Sequence, residues 1–496
     1  MSATIQHVFV LMLENRSFDH MLGFSGITGT DAESGQPTRI NGLAGTEANT
    51  FQGQTFAVAE SAGFVMPADP GHEFTGVVEQ LCGTGADYPP SGAYPPIVNS
   101  GFVASWVASG GQDRPAEIMK CFSPASLPVL NALAQEFVVC DNWHASMPGP
   151  TWPNRLFVHA ASAGGLDHSP TTAEIVLWES LNGFSFQNGT IFDAMKAKNI
   201  SRRLYAGDDF PMVSAIKGID LSDVRPYHLF AQDVAQGSYP FSYTFIEPSY
   251  NVLNDYKDST SQHPLDDVTR GEMLIKVTYE AIRNSPLWNN SLLIVTWDEH
   301  GGFYDHAIPP RAVAPGDTQA AHNKFGFNFE QYGPRVPAII VSPMIPRNLV
   351  DHRLYDHASI PGTLEALFGL APLTQRDAAA AKLTPLVSLA TPRATPATLP
   401  QPAQSGFGPP PTFAAHEFLA AAAIAPVARP ADSINEGNLP GVIHAALRSD
   451  LELSPPGQHA AIMAHVSSLK TRADASLYLE QVRQKVRVAK TTPATA

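Results

Sequence analysis

Four short runs along the chain are apolar at nearly every position: residues 8–13 (VFVLML), 137–140 (FVVC), 292–297 (LLIVTW) and 338–341 (AIIV). Runs this short, without polar alternation, suit strands covered on both faces, as in a parallel sheet. Helical patterns fall between them, over residues 126–136 and 270–283. Strands alternating with helices in this way predict an α/β fold with a mostly parallel central sheet. From residue 384 to 430 the pattern lapses into proline, alanine and threonine, including Pro409-Pro410-Pro411, which reads as an extended linker or strap. Residues 431–496 regain a helical pattern over 459–487, with Leu469, Leu477, Leu479 and Val482 as apolar positions. The expected division is a main domain over 1–383, the Pro-rich strap over 384–430 and a small C-terminal helical segment over 431–496.

Composition narrows the class. Hydrophobic residues make up 44% of the 496 and charged residues 16%, a globular balance. The formal charge of -15, from 31 Lys+Arg against 46 Asp+Glu, argues against nucleic-acid binding and against strong attachment to anionic membranes. Zwitterionic lipid is not excluded. No stretch approaches the roughly 18 consecutive apolar residues of a membrane span, so contact with a bilayer would be peripheral at most. The apolar run at the start flows directly into ENRSFDH without a basic region or cleavage site, so a cytoplasmic location is the default expectation. Cys82, Cys121 and Cys140 have no disulfide or metal-knuckle spacing, and Cys140, ending an apolar run, reads as buried and inert. Oligomeric state has no signature.

Ligands of open α/β sheets gather beyond the carboxyl ends of the strands. Glu14-Asn15 follow the first apolar run, and Asp298-Glu299 follow the third. After the second come Trp143-His144 and then GPTWPNRLF, where Thr151 precedes Pro153. Threonine as N-cap with proline in the first turn marks a helix start, and a helix N-terminus binds phosphate. Oxygen donors without cysteine favour Ca²⁺, Mg²⁺ or Mn²⁺ over a closed zinc site. Such an ion would lower the pKa of the Thr151 hydroxyl. His72 in DPGHEF and His263 in SQHPLDD sit in polar loops; one could protonate a departing alkoxide, and either could bind a phosphate oxygen. Each signal also has a plainer meaning: helix caps at Glu14-Asn15 and Thr151, loop acids at Asp298-Glu299, structural histidines at His300 and His306. Their coincidence at strand ends is what points to one site.

ENRSFDHMLG, DPGHEF, FVVCDNWHASMPGPTWPNRLFVHAASAGG, HPLDDVTRGE and SPLWNNSLLIVTWDEHGGFYDH, in this order, resemble the phosphoesterase family of non-specific phospholipases C. GPRVPAIIVSP, YDHASIPGTLEALFGL and LTQRDA extend the resemblance to about residue 378. The plant enzymes and their bacterial relatives are the nearer branch, and bacterial acid phosphatases the more distant one. The resemblance implies an alkaline-phosphatase-like α/β/α sandwich over the main domain and a metal-assisted covalent mechanism. It implies Thr151 as nucleophile, with Glu14, Asn15, Thr151, Asp298 and Glu299 around one divalent metal. His72 and His263 are implied to line the phosphate pocket. Asn15 and, from its place in YDHASI, His357 are the candidates to touch substrate. The distant acid phosphatases carry serine and a second aspartate where Thr151 and Glu299 stand, which favours the phospholipase branch. The expected reaction is phospholipase C cleavage of a glycerophospholipid such as phosphatidylcholine through a phospho-threonine. The alternative is an acid phosphatase acting on small phosphate esters. If choline is the headgroup, Trp143, Trp297, Phe303 and Tyr304 are candidates to hold it.

Overall fold

All four apolar runs become strands of one ten-stranded sheet in the computed structural model, which describes residues 5–90, 92–179, 183–317, 322–407 and 427–491. In chain order the strands are β1 (His7–Leu13), β2 (Thr28–Asp31), β3 (Pro37–Arg39), β4 (Val138–Cys140), β5 (Arg202–Ala206), β6 (Val224–Pro226), β7 (Tyr243–Glu247), β8 (Ser291–Trp297), β9 (Ala338–Val341) and β10 (Leu349–Asp351). Across the sheet they lie in the order β3-β2-β10-β4-β9-β8-β1-β7-β5-β6. Six neighbour pairings are parallel and three antiparallel, so the sheet is mostly parallel, as the unbroken apolar runs imply. Every residue from Val8 to Leu13 is at most 1% exposed, because both faces of β1 are covered.

One strand departs from expectation. β9 runs antiparallel to both β8 and β4. A parallel return needs a crossover, usually a helix, and residues 298–337 contain no α-helix among the described residues. The chain therefore comes back from the end of the sheet that it left.

The helices that matter for the site are α1 (Pro128–Glu136), α2 (Thr151–Ala160), α3 (Val268–Arg283), α4 (Ser359–Phe368), α5 (Leu439–Glu452), α6 (His459–Ser468) and α7 (Arg472–Thr491). Proline opens α1, where its missing N–H costs nothing. The next two N–H groups, of Val129 and Leu130, donate to the Glu272 carboxyl of α3 at 2.8 Å each. The single helix expected over 459–487 is two helices, because Leu469 turns extended after α6. Asp474 accepts from the backbone N–H of Thr471, and Thr471 Oγ1 accepts from that of Asp474, which starts α7 afresh.

The strap is pinned to the core over residues 384–407. Lys276 and Tyr279 of α3 donate to the carbonyls of Leu399 and Pro396, and Arg283 to that of Thr395. An extended segment leaves such acceptors free for side chains. Pro409-Pro410-Pro411 lie outside the described residues. Beyond them, α5 packs against α7 and reaches the sheet's active end: a Cβ on Gly441 would lie 1.5 Å from Trp152 Cζ2. Among the described residues no helix is long and apolar enough to cross a membrane.

Candidate active site

Leu13 and Trp297 are paired in register as the last residues of β1 and β8. Glu14-Asn15 and Asp298-Glu299 therefore leave the sheet side by side, all four fully buried. Asn15 adopts φ 57°, a left-handed conformation that asparagine tolerates. This turn lets its N–H donate to Asp298 Oδ1 at 3.0 Å. The turn after β8 must pass close to it, and Gly301, at φ 64°, has no room for a Cβ, which would lie 2.2 Å from the Asn15 carbonyl oxygen.

Helix α2 brings the hydroxyl. Thr151 was expected as the N-cap, but that place belongs to Pro150, and Thr151 is the first helical residue. Its hydroxyl is thereby released from capping and lies 3.5 Å from Asn15 Oδ1, a long contact, inside a site where Thr151 is 1% exposed. The loop before it is braced by Asn154, whose amide donates to the carbonyls of Gly149 and Pro150 and accepts from Met147 N–H.

One turn further on, Arg155 closes the arrangement. Its Nε donates to Asp298 Oδ2 at 2.8 Å and its Nη2 to the Leu13 carbonyl at 2.8 Å. Burial works against this charge, but Tyr250, Asp298, Glu247 and Glu14 outweigh it and hold the guanidinium protonated. Sequence reasoning missed Arg155. Its spacing of four from Thr151, which places both on one helix face, was the available signal.

The site carries an excess of negative groups. Burial, with Asp298 adding to it, pushes the Glu14 carboxyl up to about 8. Burial likewise raises Glu299 to about 8, with Asp298 adding to it and His72 opposing. Glu14 Oε2 and Glu299 Oε1 are buried without a hydrogen-bond partner. Two unpartnered carboxylate oxygens beside the Asp298 carboxyl are the kind of hard oxygen donors a divalent cation takes, so these residues fit such an ion. Among the described residues, the group of three acids or histidines whose ligand atoms lie close enough together to hold a metal is a different one, Asp19, Asp305 and His306. There the Arg335 guanidinium lies 2.9 Å from Asp19 and from Asp305 and already supplies the positive charge.

The histidines separate by environment. His72 donates Nδ1–H to the Pro70 carbonyl at 2.8 Å. Burial lowers its pKa, but Glu299, Asp69 and Glu73 outweigh this and raise it to about 9. His263 is held neutral by burial, with His72 and Arg16 adding to the effect. Its Nδ1 accepts from Leu265 N–H at 3.4 Å, so Nε2 carries the proton toward Asp69, 3.6 Å away. The ring lies flat on Tyr256, with centroids 3.4 Å apart. Both ring nitrogens of His357, a candidate for substrate contact, are engaged within the protein. Its Nε2 donates to the Asp298 carbonyl at 2.6 Å and its Nδ1 accepts from Trp143 Nε1 at 3.3 Å, so it braces Asp298 from behind. His300 and His306 bond the side chains of Gln80 and Asp19, the structural role open to them from the sequence.

The four candidate aromatics offer no free face. Trp143 stacks on Tyr355, Trp297 donates to Gln262, Arg16 covers Phe303, and Tyr304 is 5% exposed. Cys140 is fully buried, and burial pushes its thiol well above the usual range, consistent with an inert side chain. Sequence reasoning also passed over Asp69, Tyr256 and Asn438. Asp69 begins the DPGHEF motif; the other two carried no local signal.

A mostly parallel α/β sheet whose strand ends converge three acids, an asparagine and a helix-start hydroxyl defines a hydrolase-like centre fitted for a divalent cation. The chain belongs to the phosphoesterase family, whose model matches residues 5–371. It is similar to non-specific phospholipase C6 of Arabidopsis thaliana, 38% identical over 80% of this chain and 75% of that one. Phospholipase C B of Mycobacterium tuberculosis is 26% identical over 78% of each. A solved alkaline phosphatase superfamily protein from Vibrio parahaemolyticus is similar over 53% of this chain and 63% of its own, at 16% identity and a TM-score of 0.30.

Proposed function

We propose that the protein is a phospholipase C that cleaves glycerophospholipids such as phosphatidylcholine to diacylglycerol and a phospho-headgroup. The carrying observation is the Thr151 hydroxyl, freed from capping at the start of α2 and set beside Asn15 and the acids that end β1 and β8. The similarity to phospholipases C over most of the chain supports the lipid substrate.

In this reading Thr151 gives up its hydroxyl proton to solvent water, its oxygen attacks phosphorus, and the bond to the glycerol oxygen breaks. The α2 N-terminus and the Asn15 amide receive the non-bridging oxygens. His72 delivers the proton to the departing alkoxide: one ring nitrogen is spent on Pro70, the other is left for substrate, and neighbouring acids keep it charged. His263, neutral and clamped on Tyr256, donates a hydrogen bond instead. Water, passing a proton to the now neutral His72, then displaces Thr151 from phosphorus; the threonine oxygen recovers a proton from solvent and the phospho-headgroup is released. Glu14, Asp298, Glu299, Asn15 and Thr151 would hold one divalent ion, which supplies charge neutralisation at phosphorus and a lower pKa at the hydroxyl. Its identity among Ca²⁺, Mg²⁺ and Mn²⁺ is for elemental analysis to decide.

Incubation with phosphatidylcholine should yield phosphocholine, whereas choline with phosphatidic acid would contradict the reading. Thr151→Ala should abolish turnover, and unchanged hydrolysis would remove Thr151 as nucleophile. A strong preference for p-nitrophenyl phosphate over its phosphocholine diester would favour the acid-phosphatase alternative.

A further inference from the structure

The C-terminal segment lies beyond the part of the chain that the family model matches, yet it reaches the acids of the site. Asn438, just before α5, is 4% exposed. Its side-chain amide donates to Glu14 Oε1, a residue 424 positions earlier, and its backbone N–H donates to the Tyr256 hydroxyl at 3.2 Å. Tyr256 in turn carries His263 on its ring face. The loop that presents both is strained: Asn251, Asp255, Tyr256, Asp258 and Gln262 all have φ between 48° and 71°. Such backbone persists only where its surroundings hold it. Here Arg472 of α7, 2% exposed, donates to Asp255 Oδ1 at 3.0 Å and to the Val252 carbonyl at 2.6 Å.

Resting on the reading of Glu14 as a ligand of a divalent cation, we propose that Asn438 is a positioning residue of the active site. Its amide fixes one Glu14 oxygen and leaves Oε2, which has no partner, as the ligand atom. The chemistry of the contact supports this role over a plug. A blocking segment would bring a lysine or arginine into an acidic site and cancel its charge. A neutral amide orients the carboxylate and leaves the charge for the ion. The C-terminal segment is then part of the metal site, with Arg472 and the strained loop as its second anchorage.

The test uses full-length protein stripped with a chelator and titrated by calorimetry with Mg²⁺, Ca²⁺ and Mn²⁺ separately. Asn438→Leu keeps the approximate shape without the donor, and Asn438→Ala removes both. Each variant should bind the preferred ion about 10–100-fold more weakly, the usual effect of removing an outer partner of a ligand. In variants that circular dichroism shows to be folded when stripped, turnover lost at limiting ion should return as the ion is raised. Wild-type affinity in either folded variant, or a gain in turnover, would overturn the role of Asn438 while leaving the acids as the metal site. Failure of the wild type to bind any of the three ions would overturn the metal reading itself and the proposal with it.

Discussion

Replacing Arg155 by methionine isolates the charge balance of the site. Arg155 is 3% exposed and supplies the hydrogen bond to Asp298 Oδ2, while Oδ1 keeps the N–H groups of Asn15 and Glu299. The Leu13 carbonyl loses one donor but keeps Asp298 N–H, so the lost backbone contact is minor. What remains is a buried carboxylate with an orphaned oxygen beside Glu14 and Glu299. Breaking one partner from a buried ion pair costs about 3–5 kcal/mol, and that is the expected loss for Arg155→Met in chelator-treated protein. A saturating divalent ion would restore positive charge at Asp298, so the deficit should shrink when the ion is present. Urea unfolding of both proteins, with and without ion, reads the two differences. A chelated variant within about 1 kcal/mol of wild type, the level of an ordinary surface pair, would refute the argument that this arginine neutralises the acids.

Two other outcomes follow from packing and burial. Burial raises the Glu272 carboxyl to about 8 against an ordinary 4.5, its bonds to Val129 and Leu130 notwithstanding. Because the unfolded chain gives up this proton first, wild-type stability should fall as pH rises through this window, at up to ~1.4 kcal/mol per pH unit from this group. Glu272→Gln should lack that slope and be the more stable protein at pH 9 in denaturant titrations; parallel pH profiles would contradict this. Gly441→Ala forces Trp152 to move, since the added Cβ would lie 1.5 Å from its ring. Overpacking of this kind costs about 1–3 kcal/mol, and the C-terminal segment should become the first region cut in limited proteolysis.

The core was legible because its strands are covered on both faces. Residues 8–13, 292–297 and 338–341 need no partner to be recognised as buried strands, and the acids following two of them mark the end where ligands gather. The direction of β9 was not legible. It depends on whether the preceding connection crosses the sheet, and apolar content says nothing of that. The break between α6 and α7 was written in Thr471 and Asp474, but a window tuned to helical period reads across a cap. His357 shows a different limit: a histidine in a motif declares its chemistry, not which way its two nitrogens face.

The sequence by itself determined the fold class, the strand ends that carry Glu14, Asn15, Asp298 and Glu299, and the helix start at Thr151, because each is a local pattern of polarity and turn chemistry. Only the tertiary structure decided that Pro150 takes the cap and frees the hydroxyl, that Arg155 balances Asp298, and that Asn438 reaches Glu14 across the molecule. Those are contacts between segments far apart in the chain. They are fixed by where the sheet and helices lie, which no local pattern encodes.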